Sequence, residues 1–516
     1  MRTSLPARLA SVTLTVAMVA GAAACGASGV SGDKSAAAGG KIVYAEQLGP
    51  RAAWALETDD AIVLSHAGCL EPLVRYSNDN ALEPGLATSW VNTEPTVWDF
   101  TLRSGVTFQD GTKMDAEAVV GALQKVLAVT APARAFNPKV VSGVKAIDAS
   151  TVRITTPAPD VLMPLRMASP NTGILAPKAY AGAKIDILGT CTGPFQVTKE
   201  VPSQSIQLKR NDSYWGGKVV LAEAEVRFIP DGAARATQVQ TGEVQIAAGI
   251  PAASRSTLSG DSKLKVLSRE LPRTTAMILN NSRAPFNDPK VRKAMQYALD
   301  LSSIATGVYE GSAKPAVGPF APEKPWTPSG ARPVTAAPAK ATRLLQEAGV
   351  DPADLGFELI AYNDRPEFGD LAAVIQDQLA KIGVKVKIRG GDYASVEPDL
   401  LAGKFDAALL SRGYLVDIAE PAGYLASDFT CDGGYNLSHY CDKATDQLIK
   451  QAGRTADKAA RHNLYGKVAQ KLQDEAVATF LVHETSTVAT AAGVQNFVMH
   501  PLAYYILTAD LAISSS

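Results

Sequence analysis

The chain has 516 residues, 46% of them hydrophobic, with 50 lysines and arginines against 51 aspartates and glutamates and a formal net charge of −1. That length exceeds what one hydrophobic core usually holds, so at least two lobes are expected. The balanced charge, with no long basic run, argues against nucleic acid as a partner.

Residues 1–24 carry the pattern of an export signal. Arg2 and Arg8 make a basic start, Leu9 to Ala20 a short apolar run, and Ala22, Ala23 and Ala24 a small-residue cleavage site. The apolar run is too short to span a bilayer, and no later stretch is long enough. Cleavage after Ala24 makes Cys25 the first mature residue, as in bacterial lipoproteins, where a lipidated cysteine holds the protein at the outer face of the cytoplasmic membrane. Residues 25–40 then form a flexible tether, because Gly26 to Gly40 contains only Gly, Ala, Ser, Val, Asp and Lys and cannot bury a core.

Further along, Trp98, Phe100 and Leu102 alternate with Asp99, Thr101 and Arg103, which predicts a half-buried strand, and Ser104-Gly105 reads as a turn into Val106-Thr107-Phe108, a β-hairpin. Asp288 can cap a helix opening at Pro289, with Val291, Ala294, Met295, Ala298 and Leu299 as its buried stripe. Phe357 to Tyr362 reads as a strand. Leu371, Val374, Ile375, Leu379 and Ile382 follow helical spacing, Gly383 supplies a left-handed cap, and Val384, Val386 and Ile388 alternate as the next strand. Strand, helix and strand at this length imply a right-handed crossover with parallel pairing, so the fold class is α/β. A last strand, Phe405 to Leu410, runs directly into a polar loop ending at Glu420-Pro421.

If Cys25 carries lipid, Cys69, Cys191, Cys431 and Cys441 remain, an even count that in an exported chain suggests two disulfides with three possible pairings. The close spacing of Cys431 and Cys441 around Gly433-Gly434 favours Cys431–Cys441, which leaves Cys69–Cys191. His439 and Asp442 flank Cys441, but the spacing matches no strong zinc pattern, and no metal or other cofactor is expected. The five histidines, His66, His439, His462, His483 and His500, are scattered. There is no G-x-S-x-G elbow, and His483-Glu484 lacks a second histidine four positions on, so the chain reads as no enzyme; an exported hydrolase is the alternative of another class.

Several tracts occur together in a fixed order: Gly85-Leu86-Ala87-Thr88-Ser89-Trp90; Trp98 through Phe108 closing on Asp110-Gly111; Cys191-Thr192-Gly193-Pro194-Phe195; Leu208 through Tyr214-Trp215-Gly216-Gly217; Asn281 through Pro285-Phe286-Asn287-Asp288-Pro289-Lys290-Val291-Arg292-Lys293-Ala294; and Ala341 through Gly349. Together they resemble the peptide/nickel family (family 5) of extracytoplasmic solute-binding proteins, the capture components of ABC importers. Cys191 replaces the glycine usual in the third tract. The resemblance implies a two-lobed clamshell of the periplasmic-binding-protein type with mixed sheets and a hinge. Residues 41–270 plus 484–516 would build the first lobe and 271–483 the second, closing on ligand in the cleft. It also implies a monomer that takes a small peptide and delivers it to ABC permease subunits in the membrane.

Ligands of open α/β sheets bind beyond the carboxyl ends of the strands, which points to the loop after Leu410. That loop resembles the tract of oligopeptide-binding proteins in which an aromatic residue precedes an aspartate by three positions. The resemblance gives Asp417 the role of pairing with a peptide's ammonium group and Tyr414 the aromatic position. A desolvated ammonium needs such an opposed carboxylate. Arg412 could receive a peptide carboxylate through a forked pair of hydrogen bonds, Trp54 is a candidate aromatic wall, and Glu420-Pro421 reads as turn chemistry. The same arginine and aromatics could instead surround an anionic metal chelate, nickel or siderophore-like, which is the alternative ligand class.

Overall fold

The computed structural model describes residues 39–79, 81–365, 367–415 and 418–514. The export signal, Cys25, nearly all of the tether, and Asp417 lie outside the described residues.

The short apolar runs become strands of one continuous eleven-stranded mixed sheet. From one edge its order is Lys385–Arg389, Gly356–Ile360, Ala407–Gly413, Leu264–Leu279, Ala478–Ala491, Ile246–Ala248, Lys41–Glu46, Glu223–Phe228, Ser205–Arg210 and Phe195–Val201, with Ala313–Pro315 pairing to Ala478–Ala491 off this path. The predicted strand–helix–strand unit is present. Gly356–Ile360 and Lys385–Arg389 pair in parallel, with Phe357 opposite Val386. The helix between them, Glu367–Ala380, buries Phe368, Leu371, Ala372, Ile375 and Leu379, and Gly383 adopts φ +92° just beyond it. At the helix Pro289–Ala298 the Asp288 carboxylate accepts the Lys290 N–H at 2.7 Å, and Val291, Ala294, Met295 and Ala298 face inward.

The strand expected around Trp98 is Val97–Leu102, but Val106-Thr107-Phe108 does not return beside it. Its partners are Ala87–Glu94 and Thr151–Thr155 in a separate four-stranded sheet. Val106 and Phe108 are buried as loop residues: Phe108 N–H donates to Thr112 O, and only Thr107 bridges, to Lys113. The turn at Gly105, φ +76°, therefore redirects the chain into the core instead of closing a hairpin.

Two large cores divide the molecule into lobes. One draws its buried residues from Ala276 to Val482, the other from Ile42 to Ile246 together with Val488 to Leu511. Both lobe boundaries expected from the sequence fall inside two long strands, Leu264–Leu279 and Ala478–Ala491, which run antiparallel to each other through both lobes. Their register breaks between Glu270 and Thr274 and again between Thr275 and Ala276. Disulfides join Cys69 to Cys191 in the first lobe and Cys431 to Cys441 in the second.

Candidate functional site at the strand ends

Gly356–Ile360, Lys385–Arg389 and Ala407–Gly413 run parallel, so their carboxyl ends emerge on one side of the sheet. The segments leaving those ends pack together there. After the first strand come Tyr362 and Arg365; after the second, Tyr393, whose N–H donates to Asp364 Oδ2 at 2.6 Å and whose ring lies 4.8 Å from that of Tyr362. Tyr393 also meets the Tyr435 hydroxyl, which donates to Glu397 Oε1 at 2.9 Å.

Arg412 closes this side of the third strand. Its Nε and Nη2 donate to the two carboxylate oxygens of Asp428 at 2.7 and 2.8 Å, and its guanidinium stacks 4.4 Å from the Tyr435 ring centroid. Burial works against the charge, but Asp428 outweighs it and holds the Arg412 pKa above the ordinary value. The fork read from the sequence as a receiver for a ligand carboxylate is occupied by Asp428 in this structure.

At the crossing strands, buried Glu484 gathers three other segments. Its Oε1 accepts from Thr275 Oγ1 at 2.6 Å and Ser411 Oγ at 2.5 Å, and its Oε2 from Arg365 Nη2 at 2.8 Å. Burial raises the cost of that carboxylate, yet Arg365 and Arg273 more than offset it and pull its pKa below the ordinary value. Arg273 donates from Nη1 to Ser411 O and Oγ at 3.1 and 3.2 Å, and burial lowers its pKa.

Tyr414 begins the loop, but its side chain is 1% exposed and turned into the second-lobe core, 5.2 Å from the Phe320 ring, with its hydroxyl accepting the Ala321 N–H at 3.4 Å. Trp54 is 2% exposed in the first-lobe core, where Nε1 donates to Glu200 Oε1 at 2.9 Å. Neither is an open cleft wall, because each ring is consumed by packing, and the two sit in different cores. Asp417 lies outside the described residues. His439 Nε2 meets Leu400 O at 3.0 Å and Asp442 caps the helix Lys443–Ala452, so both are engaged elsewhere, and the described residues contain no cluster able to hold a metal.

Ile418 and Glu420, just beyond Asp417, are anchored in opposite lobes. Ile418 is 1% exposed and packs against Ala135 and Leu162 of the first lobe. Glu420 is held the other way, in the second lobe: Arg461 Nε and Nη2 donate to its two oxygens at 2.7 Å each, Tyr465 Oη donates at 3.1 Å, and His462 Nε2 lies at 3.3 Å. Burial opposes this carboxylate, but Arg461 and His462 hold its pKa down at about 2. The loop after the third strand therefore sits where the lobes meet. Sequence reasoning missed Tyr362, Arg365, Tyr393, Tyr435 and Glu484. For the first three the signal was present, since each stands just after a parallel strand; Tyr435 and Glu484 arrive from distant segments and left none.

The family model for bacterial extracellular solute-binding proteins, family 5 middle, matches residues 81–436. The chain is 28% identical over 453 residues to di/tripeptide-binding protein 2 of Pseudomonas aeruginosa, covering 81% of this chain and 84% of that protein. It is similar to the nickel-binding protein NikA of Staphylococcus aureus, 24% identical over 453 residues, with 87% and 90% covered. Among solved structures, the nickel ABC transporter protein from Bacillus halodurans superposes with a TM-score of 0.78 at 28% identity, covering 92% of this chain and all of that one.

Proposed function

Because the chain belongs to the family 5 bacterial extracellular solute-binding proteins, we propose that it is the capture component of an ABC importer for small peptides. It binds them outside the cytoplasmic membrane and hands them to permease subunits. The observation that carries this reading is the position of the 418–422 segment, at the carboxyl end of a parallel strand and held by both lobes, beside relatives whose names specify di- and tripeptides. In this reading Asp417, next in the chain to Ile418, pairs with the ligand's ammonium group, while Arg412 stays with Asp428 and serves as scaffold. The family consists of binding proteins of transporters, and the chain is read as a binder without turnover. Cys25 carries the lipid that keeps the monomer at the membrane.

A nickel-type chelate is the second reading, favoured by the similarity to the nickel-binding relative. Native mass spectrometry of residues 26–516, purified without denaturant, separates the two. A ladder of small peptide masses released from the protein is the expected result; a single metal-containing mass overturns the peptide reading. Substitution Asp417→Asn is expected to weaken peptides with free amino termini by about 1.5 to 3 kcal/mol, the scale of a charged hydrogen bond. Equal loss with amino-acetylated peptides would show that Asp417 is structural.

A further inference from the structure

The buried cluster of Ile418 with Ala135 and Leu162 is made of side chains from both lobes, flanked by Val161 and Leu165 on one side and Ala422 on the other. We propose that Ile418 is a closure latch: an apolar plug on the ligand loop that seats in a preformed socket of the first lobe, positions the loop, and keeps a closed population even without ligand. The inference rests on the clamshell binding role proposed above.

The socket is built by the first lobe alone. Asp160 Oδ1 accepts the Leu162 N–H at 2.9 Å, and its Oδ2 accepts Arg166 Nε at 2.7 Å. Arg166 Nη1 in turn donates to Ala135 O at 3.1 Å, and Trp98 Nε1 donates to Asp160 O at 3.0 Å. Leu162 and Ala135, the two walls, are therefore set by one ion pair, Arg166–Asp160, whose partners lie in this lobe. Such a socket costs little to order when the lobes meet, because its residues are already fixed.

The plug is equally constrained from its own side. Two residues after Ile418, Glu420 is clamped by Arg461, and Arg461 Nη1 also donates to Thr455 O at 2.8 Å and Ala456 O at 3.0 Å, so the loop's root moves with the second lobe. Ala419 between them packs on the first-lobe core, beside the Tyr76 phenol. Opening the lobes must withdraw Ile418 into water, and seating it returns a large apolar side chain to full burial, so loop position and closure form one equilibrium. A ligand held by this loop in the closed arrangement then draws on the same equilibrium, and its apparent affinity scales with the closed fraction.

The test uses the mature chain with Ile418→Ser on the plug, Leu162→Ser on the socket, the double variant, and Ile418→Val as the conservative control. Small-angle scattering of ligand-free protein should show a larger radius for both serine variants and a wild-type radius for Ile418→Val. Affinity for an unmodified alanine tripeptide should fall about tenfold in each serine variant, with the double variant no worse than either, because the second removal finds no partner left. Unchanged radii in both serine variants, or additive losses in the double, overturn the latch. The Leu162→Ser arm keeps the test open should Ile418→Ser fold poorly. The scattering arm needs no ligand, so a protein that binds no peptide would refute the peptide reading while leaving the latch to be judged by its radii.

Discussion

Glu420 and Arg461 stand 41 residues apart and meet as a bidentate buried pair, each nearly inaccessible to water. Breaking one side of such a pair leaves an uncompensated charge, so Glu420→Gln is expected to destabilise the protein by about 3 to 5 kcal/mol in chemical denaturation. The pH dependence has a definite sign. Glu420 falls from 4.5 to about 2 on folding, so its contribution is complete above 4.5 and drains away as pH drops toward 2. The Glu420→Gln variant should lack that part of the acid limb; an identical acid limb in variant and parent would contradict the pairing. His66 behaves in the opposite sense. Burial opposes its charge, but Glu46, 2.5 Å from Nδ1, raises its pKa, so its contribution is full below the ordinary imidazole value of 6.5 and is lost as pH rises through the folded value. The stability difference between parent and His66→Gln is therefore expected to shrink on the alkaline side, and a difference that grows there would refute the ion pair. None of these pairings was legible in the chain, nor were those that occupy Arg412 and Trp54, because a sequence shows a donor's chemistry without showing which distant acceptor claims it.

At the scale of elements, periodicity located the strand–helix–strand unit and the helix at Pro289, whose patterns are set by neighbours within one or two turns. The hairpin expected at Ser104-Gly105 failed for the reason that local patterns fail: Val106 and Phe108 found burial without a ladder, and Val97–Leu102 paired with a segment some fifty residues later. The tract Cys191-Thr192-Gly193-Pro194-Phe195 shows how a substitution within a family pattern is accommodated. Cys191 is absent from the positive-φ residues, so a side chain fits there, and its sulfur reaches Cys69 across 122 residues. Gly193 has no such freedom, because a Cβ there would lie 2.4 Å from Gly68 O and 2.6 Å from Cys69 O. Closing a loop of that length is worth about 4 to 5 kcal/mol in the chain-entropy account. Replacing both Cys69 and Cys191 by serine should lower unfolding free energy by that order, and Gly193→Ala should cost the first lobe its fold while Gly121→Ala, inside the helix Ala116–Leu127 with open space around it and no positive φ, should cost far less. Equal expression and stability of the two alanine variants would contradict the close approach.

For the whole molecule, length and motif order foretold two lobes, but not that one sheet runs through both. That continuity depends on pairing Leu264–Leu279 with Ala478–Ala491, a match between segments about two hundred residues apart that no local signal encodes. Ala478–Ala491 serves both cores, with Phe480 and Val482 in the second lobe and Val488 in the first, while Leu264–Leu279 gives Met277 and Leu279 to the second lobe and packs Leu264 and Val266 against a small cluster of Val43, Ala45, Ala247 and Ala489 on the sheet's other side. Glu484 fastens the crossing by joining Thr275, Ser411 and Arg365. Neither lobe can unfold without stripping ladder hydrogen bonds and buried surface from the other, so independent melting is penalised on both sides. Calorimetry of residues 26–516 is therefore expected to give one cooperative transition with a van't Hoff to calorimetric enthalpy ratio of about 1. Substituting Glu484→Gln, which removes the charge that Arg365 pairs with at the crossing, should broaden or split it. Two resolved transitions in the parent protein would mean that the shared strands bend between lobes without coupling their stability, and the hinge would then have to be sought at the register breaks between Glu270 and Thr274 and between Thr275 and Ala276.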